Sequence, residues 1–252
     1  MADSWLRRLT SSPSDDAHTL VCFPHAGGSA ISFGPLAKSI GPDYEMLAVQ
    51  YPGRQDRRRE PLVGDIGELV DGLLPELTGL LGDSRAFSLF GHSMGSVVAF
   101  ETSRRLESTM GATARVLFAS GRRAPSAALP EVRIHQISDR ELADHLVRSG
   151  GTPAALLEDP EFRRLILEVV RNDYRAIETY RCDADARVGS PIVALAGEAD
   201  PDASLAQIQE WGAHTSESFS ATTFPGGHFF IDANRAPIGE LIREHCARAL
   251  SK

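Results

Sequence analysis

The sequence predicts an α/β fold: a mostly parallel sheet flanked by helices, with a helical insertion in its second half. Three observations predict it. Short apolar runs alternate with amphipathic helical stretches, the pattern of strand–helix–strand crossovers. The run at residues 19–23 is apolar almost throughout, as a strand buried on both faces requires. A Gly-x-Ser-x-Gly, Gly91-His92-Ser93-Met94-Gly95, sits between one such run and a helical stretch.

Taken in order, residues 1–17 are polar around Ser11-Ser12-Pro13-Ser14-Asp15-Asp16 and are expected to form a flexible tail. Residues 19–23 and 45–50 read as the first two strands. Between 65 and 81, Ile66, Leu69, Val70, Leu73, Leu74, Leu77, Leu80 and Leu81 recur at helical spacing. Asp65 is placed to cap this helix, with Glu68 as its capping-box partner. Residues 86–90 form the strand before the glycine–serine motif, and Ser96 to Glu101 the helix after it. Residues 115–119, 191–196 and 219–224 complete the strands, and a closing helix runs through Ile238, Leu241 and Ile242.

From 125 to 185 the rhythm breaks. One helix begins at Ser138 with Glu141 as a second capping box, and another runs through Phe162, Leu165, Ile166, Val169 and Val170 toward Tyr174. Ser149-Gly150-Gly151-Thr152-Pro153 separates them as a turn or hinge. The chain therefore divides into a core of 18–124 and 186–252 and a helical lid of 125–185 over the catalytic end of the sheet. An extra helical layer with no gating role fits the same pattern.

The 252 residues suit one domain with an insertion, and 42% hydrophobic with 24% charged residues is ordinary for a soluble globular protein. A net charge of −8 argues against nucleic acid or an anionic membrane as the main partner. No apolar run is long enough to span a bilayer, and the N-terminus lacks the apolar core of a signal peptide, so a cytoplasmic location is expected. Three widely spaced cysteines, Cys22, Cys182 and Cys246, fit neither a disulfide framework nor a zinc site.

The chemistry centres on Ser93. Between strand and helix, Gly-x-Ser-x-Gly is the nucleophile elbow of the α/β-hydrolase fold. The tight turn needs residues without Cβ beside the serine. The following helix directs its positive end at the developing charge. A serine needs a base oriented by a third group. In this fold the chain order is Ser, then an acid, then His. Asp200 follows the strand ending at Ala196, and His228 follows the strand ending at Phe224, after Gly226-Gly227. Asp202 and Glu198 compete with Asp200; Asp202 reads better as a cap or first-turn acid of the helix through Leu205 and Ile208. His92 is read as a packing and hydrogen-bonding element. His18, His135, His145, His214 and His245 are expected at the surface. The oxyanion hole needs two backbone N–H groups: Met94, after the nucleophile, and one from the loop Pro24-His25-Ala26-Gly27-Gly28-Ser29, Ala26 first and Gly27 next.

Phe23-Pro24-His25-Ala26-Gly27-Gly28, Tyr51-Pro52-Gly53-Arg54, the elbow, Ser120-Gly121-Arg122-Arg123-Ala124-Pro125 and Gly227-His228-Phe229-Phe230 occur in one order. Together they closely resemble the type II thioesterases, free-standing partners of polyketide synthases and non-ribosomal peptide synthetases. The resemblance spans roughly residues 18 to 250. It implies hydrolysis of short or aberrant acyl groups from the phosphopantetheine arm of an acyl or peptidyl carrier protein. It also implies a Ser93–Asp200–His228 triad, Met94 and Ala26 as oxyanion donors, and no metal or organic cofactor. Alternatives are a small-molecule carboxylesterase or lipase with the same triad, a cyclising thioesterase, and a non-catalytic acyl-carrier-binding protein. An acidic carrier would need a local basic patch on this acidic chain. Arg54, Arg57, Arg58 and Arg59 form the densest basic run, and Arg122 and Arg123 follow another strand; pairing with neighbours such as Asp56 and Glu60 is the alternative for the first group.

Overall fold

The computed structural model describes residues 4–11, 13–14, 17–82, 86–128 and 131–250. Seven strands form one sheet: β1 (Leu6–Arg8), β2 (His18–Phe23), β3 (Tyr44–Val49), β4 (Phe87–His92), β5 (Leu117–Ser120), β6 (Ile192–Gly197) and β7 (Phe219–Phe224). Their order is β1-β3-β2-β4-β5-β6-β7. All neighbours are parallel except β1, which runs antiparallel to β3. β2 to β6 are buried at every position, the reason their sequences read as unbroken apolar runs.

Helices cover both faces. On one side α2 (Ile66–Leu81), α3 (Met94–Met110) and α7 (Leu205–Gln209) bury Leu69, Leu73, Leu77, Val98, Phe100 and Ile208 with Trp211. On the other, α1 (Gly34–Ile40) and α8 (Arg235–Leu250) bury Leu36, Ile40, Ile238 and Ile242 against Phe90 and Phe118. Asp65 caps α2 by accepting the Glu68 N–H at 3.1 Å. The insertion contributes α4 (Asp139–Ser149), α5 (Ala154–Glu158) and α6 (Pro160–Thr179), with a small core of Leu142, Leu146, Leu157, Leu167 and Val170. Ser138 and Glu141 complete the capping box of α4. Gly150, at φ +81°, ends α4 in the left-handed region that suits glycine. Among the described residues, no helix is long and apolar enough to cross a membrane.

The expected N-terminal tail needs correction. Leu6–Arg8 pairs with β3, and Glu76 on α2 accepts both the Ser4 hydroxyl at 2.6 Å and the Trp5 N–H at 2.5 Å. Backbone pairing and a buried-side carboxylate thus order a segment whose composition is polar. Ser12, Asp15 and Asp16 of that expected tail lie outside the described residues. His18 and His214 are buried rather than exposed, and His135, His145 and His245 are half-buried. His18 Nε2 lies 2.9 Å from the Ser88 hydroxyl, and His214 Nδ1 lies 2.7 Å from the Ala186 carbonyl.

Sheet topology fixes where a site can form. From β2 the chain moves outward to β3 on one side, then returns to β4 on the other and continues through β5, β6 and β7. The direction reverses between β2 and β4, so the loops leaving their C-terminal ends part and open a crevice.

Candidate active site

Ser93 stands at that crevice, between β4 and α3, with φ +54° and ψ −120°. A non-glycine residue at positive φ is strained. The surrounding turn holds it there: Ser93 N–H donates to the Ser120 carbonyl at 2.7 Å, and the Ser96 hydroxyl donates to the carbonyls of Gly91 and Ser120 at 2.9 Å each. A Cβ at Gly91 would strike the Gly95 backbone. The two motif glycines let β4 and α3 meet at this angle.

The structure brings Ser93, Asp200 and His228 together from three loops at the same sheet edge. His228 Nε2 lies 2.9 Å from Ser93 Oγ, and His228 Nδ1 lies 2.9 Å from Asp200 Oδ2. Asp200 is buried, and its other oxygen accepts the Asp202 N–H at 2.9 Å. A carboxylate so held fixes which imidazole nitrogen carries the proton and stabilises the imidazolium. Asp202 does not cap α7: Ser204 does, in a capping box with Gln207. The Asp202 carboxylate nonetheless stays near, its oxygen within 4.8 Å of the facing His228 and Asp200 atoms.

Two further imidazoles crowd the base. His92 Nδ1 lies 3.0 Å from the Ser120 hydroxyl, and its ring centroid is 5.2 Å from that of His228. Burial, then His228 and His25 beside it, holds His92 well below the usual histidine range. Burial, followed by His228, pulls His25 down to about 4. Both are therefore neutral near pH 7 and add no positive charge beside the His228 ring.

The predicted oxyanion donors flank the same point. Met94 opens α3, so its N–H has no partner within the helix. In the loop after β2, Gly27 N–H is engaged by Asp173 at 2.8 Å. The N–H of Gly27, the alternative donor expected from the sequence, is thus already occupied. A cavity of about 190 Å³ opens at this centre, lined by Ser93, His228, Ala26 and Phe229 and by Leu146, Leu156, Ile166, Val170 and Tyr174 of the insertion. Residues of the insertion thus line the cavity beside Ser93 and His228. Tyr174 and Asp173 lie in a helical stretch with no motif of their own, and Phe229, although part of the Gly227-His228-Phe229-Phe230 motif, carried no assigned role.

The arginine runs divide. Arg54 and Arg57 are buried, contrary to the docking expectation. Arg54 makes a bidentate ion pair with Asp173 at 2.5 and 2.8 Å. Arg57 pairs with Glu60 at 2.5 Å, donates to the Gln50 carbonyl and stacks 4.4 Å over Trp5. Arg58 and Arg59 are exposed, and Arg122 and Arg123 are half-buried. Burial, then Arg123, lowers the Arg122 guanidinium to about 10, still charged at neutral pH. Arg123 donates to the carbonyl of Asp202 at 3.3 Å, two residues from Asp200.

The thioesterase domain family matches residues 18–247. The chain belongs to that family. It is 45% identical over 230 residues to a probable cadicidin biosynthesis thioesterase of Streptomyces griseus, covering 91% of this chain and 62% of that one. It is 42% identical over 241 residues to thioesterase PikA5 of Streptomyces venezuelae, covering 96% and 85%. This chain thus spans less than two thirds of the first relative's length. The structure of the type II thioesterase BorB, from the borrelidin biosynthetic cluster, superposes with a TM-score of 0.88 at 41% identity, over 98% of this chain and 99% of that one. The type II thioesterase resemblance and the α/β-hydrolase fold read from the motifs are both borne out.

Proposed function

We propose that this thioesterase hydrolyses short or aberrant acyl groups from the phosphopantetheine arm of acyl or peptidyl carrier proteins, an editing role for a polyketide or non-ribosomal peptide synthase. One observation carries the reading. Ser93 Oγ, both nitrogens of His228 and Asp200 Oδ2 form one hydrogen-bonded chain at the mouth of an apolar cavity. The similarity to thioesterases of antibiotic pathways supports the substrate class.

The proposed reaction runs in two halves. Ser93 Oγ attacks the thioester carbonyl carbon while His228 Nε2 takes its proton. The resulting oxyanion accepts hydrogen bonds from the Met94 and Ala26 N–H groups. The carbon–sulfur bond breaks, and His228 gives its proton to the departing pantetheine sulfur. Water then loses a proton to His228 and attacks the acyl-Ser93 carbonyl. The free acid leaves, and the proton returns to Ser93 Oγ. Asp200 keeps Nδ1 protonated throughout. The aliphatic wall of Leu146, Leu156, Ile166 and Val170 suits an apolar acyl chain. Arg58, Arg59, Arg122 and Arg123 are the basic groups available to an acidic carrier or the arm's phosphate.

A panel of carrier proteins loaded with acyl groups of increasing length, followed by intact mass, tests the reading. Loss of the acyl mass, faster per enzyme than turnover of p-nitrophenyl esters, is expected. Turnover of the oxygen esters with loaded carriers left intact would assign a carboxylesterase instead.

A further inference from the structure

The helical insertion grips the loop after β2 through one carboxylate. Asp173 on α6 is 1% exposed and Arg54, after β3, is 6% exposed. Asp173 Oδ2 accepts from two donors at once, Arg54 Nη1 at 2.5 Å and the backbone N–H of Gly27 at 2.8 Å. Arg54 Nη2 holds the other carboxylate oxygen at 2.8 Å, and Nη1 also reaches the Gly28 carbonyl at 3.3 Å. The ion pair therefore grips the loop after β2 by an N–H on Gly27 and a C=O on Gly28. Arg54 is in turn fixed by the Pro52 carbonyl at 3.2 Å and lies 5.3 Å from the Tyr51 ring centroid. Gly27 has φ +77°, and a Cβ there would run into Val170 Cγ2 of α6. The helix is packed directly on this loop.

We infer that Asp173, held by Arg54, is a positioning residue that aims the Ala26 N–H at the oxyanion, so that docking of α6 and completion of the oxyanion hole are one event. This role for Asp173 rests on Ala26 acting as an oxyanion donor in the proposed function. Ala26 shares a peptide bond with Gly27, so the anchor on the Gly27 N–H restrains the backbone that orients its neighbour. A hydrogen-bond donor must point at where charge develops to within a few tenths of an ångström to act at full strength. A charged acceptor with no water access holds its N–H more firmly than a neutral one. Stability alone gives a weaker reason for the pair, since apolar residues of similar volume commonly replace a buried ion pair without loss. Without Asp173, the Gly27 N–H loses its acceptor, while the loop keeps its Gly28 N–H to His25 C=O turn at 2.9 Å, the Arg54 bond to the Gly28 carbonyl at 3.3 Å and the Tyr51 hydroxyl on the Pro24 carbonyl at 3.3 Å.

That difference supplies the test. The double variant Arg54→Met with Asp173→Leu removes both charges together and preserves apolar volume. Thermal unfolding, kcat and KM on an acyl-pantetheine thioester, and inhibition by a trifluoromethyl ketone analogue are measured side by side. The ketone forms a tetrahedral adduct on the serine and so reads the oxyanion hole. Expected are an unfolding temperature near that of the wild type, a KM within about twofold, and kcat and analogue affinity both lower by about 10- to 100-fold. A folded double variant with wild-type kcat and analogue affinity overturns the inference. If the double variant fails to fold, Arg54→Lys reads the same quantity, because it keeps the charge but gives up the two-pronged grip. Lowered kcat and analogue affinity at unchanged KM then support the inference, and wild-type values overturn it. Ser93→Ala, run in parallel, separates the two levels. If it retains turnover the serine mechanism itself fails, whereas its inactivity beside unaffected Arg54 and Asp173 variants rejects only the positioning role.

Discussion

Gly95, at the start of α3, lies directly against the carbonyl of Phe23 at the end of β2: any Cβ at Gly95 would collide with that oxygen and with the Pro24 carbonyl behind it. The contact is backbone to backbone, so no side-chain rotation relieves it. It also sets the spacing between the two loops that carry Met94 and Ala26.

Gly95→Ala is therefore expected to cost about 3 kcal/mol or more of stability, at the upper end of overpacking effects. Any folded fraction should have a lowered kcat, because Met94 and Ala26 are forced apart. Thermal unfolding and steady-state kinetics check it. Wild-type values for both would show that the elbow yields where the packing says it cannot.

Asp200 and Asp202 separate by role. Asp200→Asn keeps the shape but loses the charge that stabilises the His228 imidazolium, and should lower kcat by about 10⁴-fold, as in other serine triads. Asp202 neither bonds His228 nor caps α7. Asp202→Asn should change kcat by less than about tenfold, through the field near His228 alone. Kinetics of the two variants decide it; the reverse order would reassign the acid.

Carrier docking is expected to depend on Arg58 and Arg59 and not on the buried Arg57. Arg58→Glu with Arg59→Glu should raise KM for an acyl-carrier protein and leave KM for a phosphate-free acyl thioester unchanged. Added salt should weaken only the carrier reaction. Equal effects on both substrates would move docking to another surface.

Acid should destabilise the fold through its buried imidazoles. Burial and then Arg115 lower His18 to about 4, and His25 is lowered similarly. The unfolded chain binds protons on these groups near pH 6.5 and the native chain does not, so stability falls as pH drops from about 6.5 to 4. For His18 the full loss is about 3 kcal/mol. Urea unfolding of the wild type and His18→Gln at pH 7.5 and 4.5 measures it. The variant should lose less stability over that interval; identical losses would remove His18 as a source.

Five of the seven strands, β2 to β6, were legible because burial on both faces leaves an apolar run, and β7, only partly buried, by its place in the strand–helix alternation; Ser93, Asp200 and His228 were legible because each follows a strand. β1 was not: Leu6–Arg8 is a three-residue edge strand carrying two arginines. Its order comes from Glu76, some seventy residues away. Arg54 read as part of a solvated basic run because its partner Asp173 lies 119 positions on, within the insertion. Arg57 hides under Trp5 in the same way. Charge burial is a property of tertiary pairing, and local spacing carries little trace of it. The Ser204 cap of α7 was legible in Ser204 and Gln207, but the neighbouring Asp202 drew the assignment.

The central claim is that Ser93 forms the acyl-enzyme on which thioester hydrolysis runs. Turnover of an acyl-pantetheine thioester by wild type and Ser93→Ala, at matched folding, tests it most directly. Expected in Ser93→Ala are a kcat lower by several orders of magnitude, unchanged thermal unfolding and no acyl adduct on the protein by mass. Turnover by Ser93→Ala within about tenfold of the wild type would contradict it.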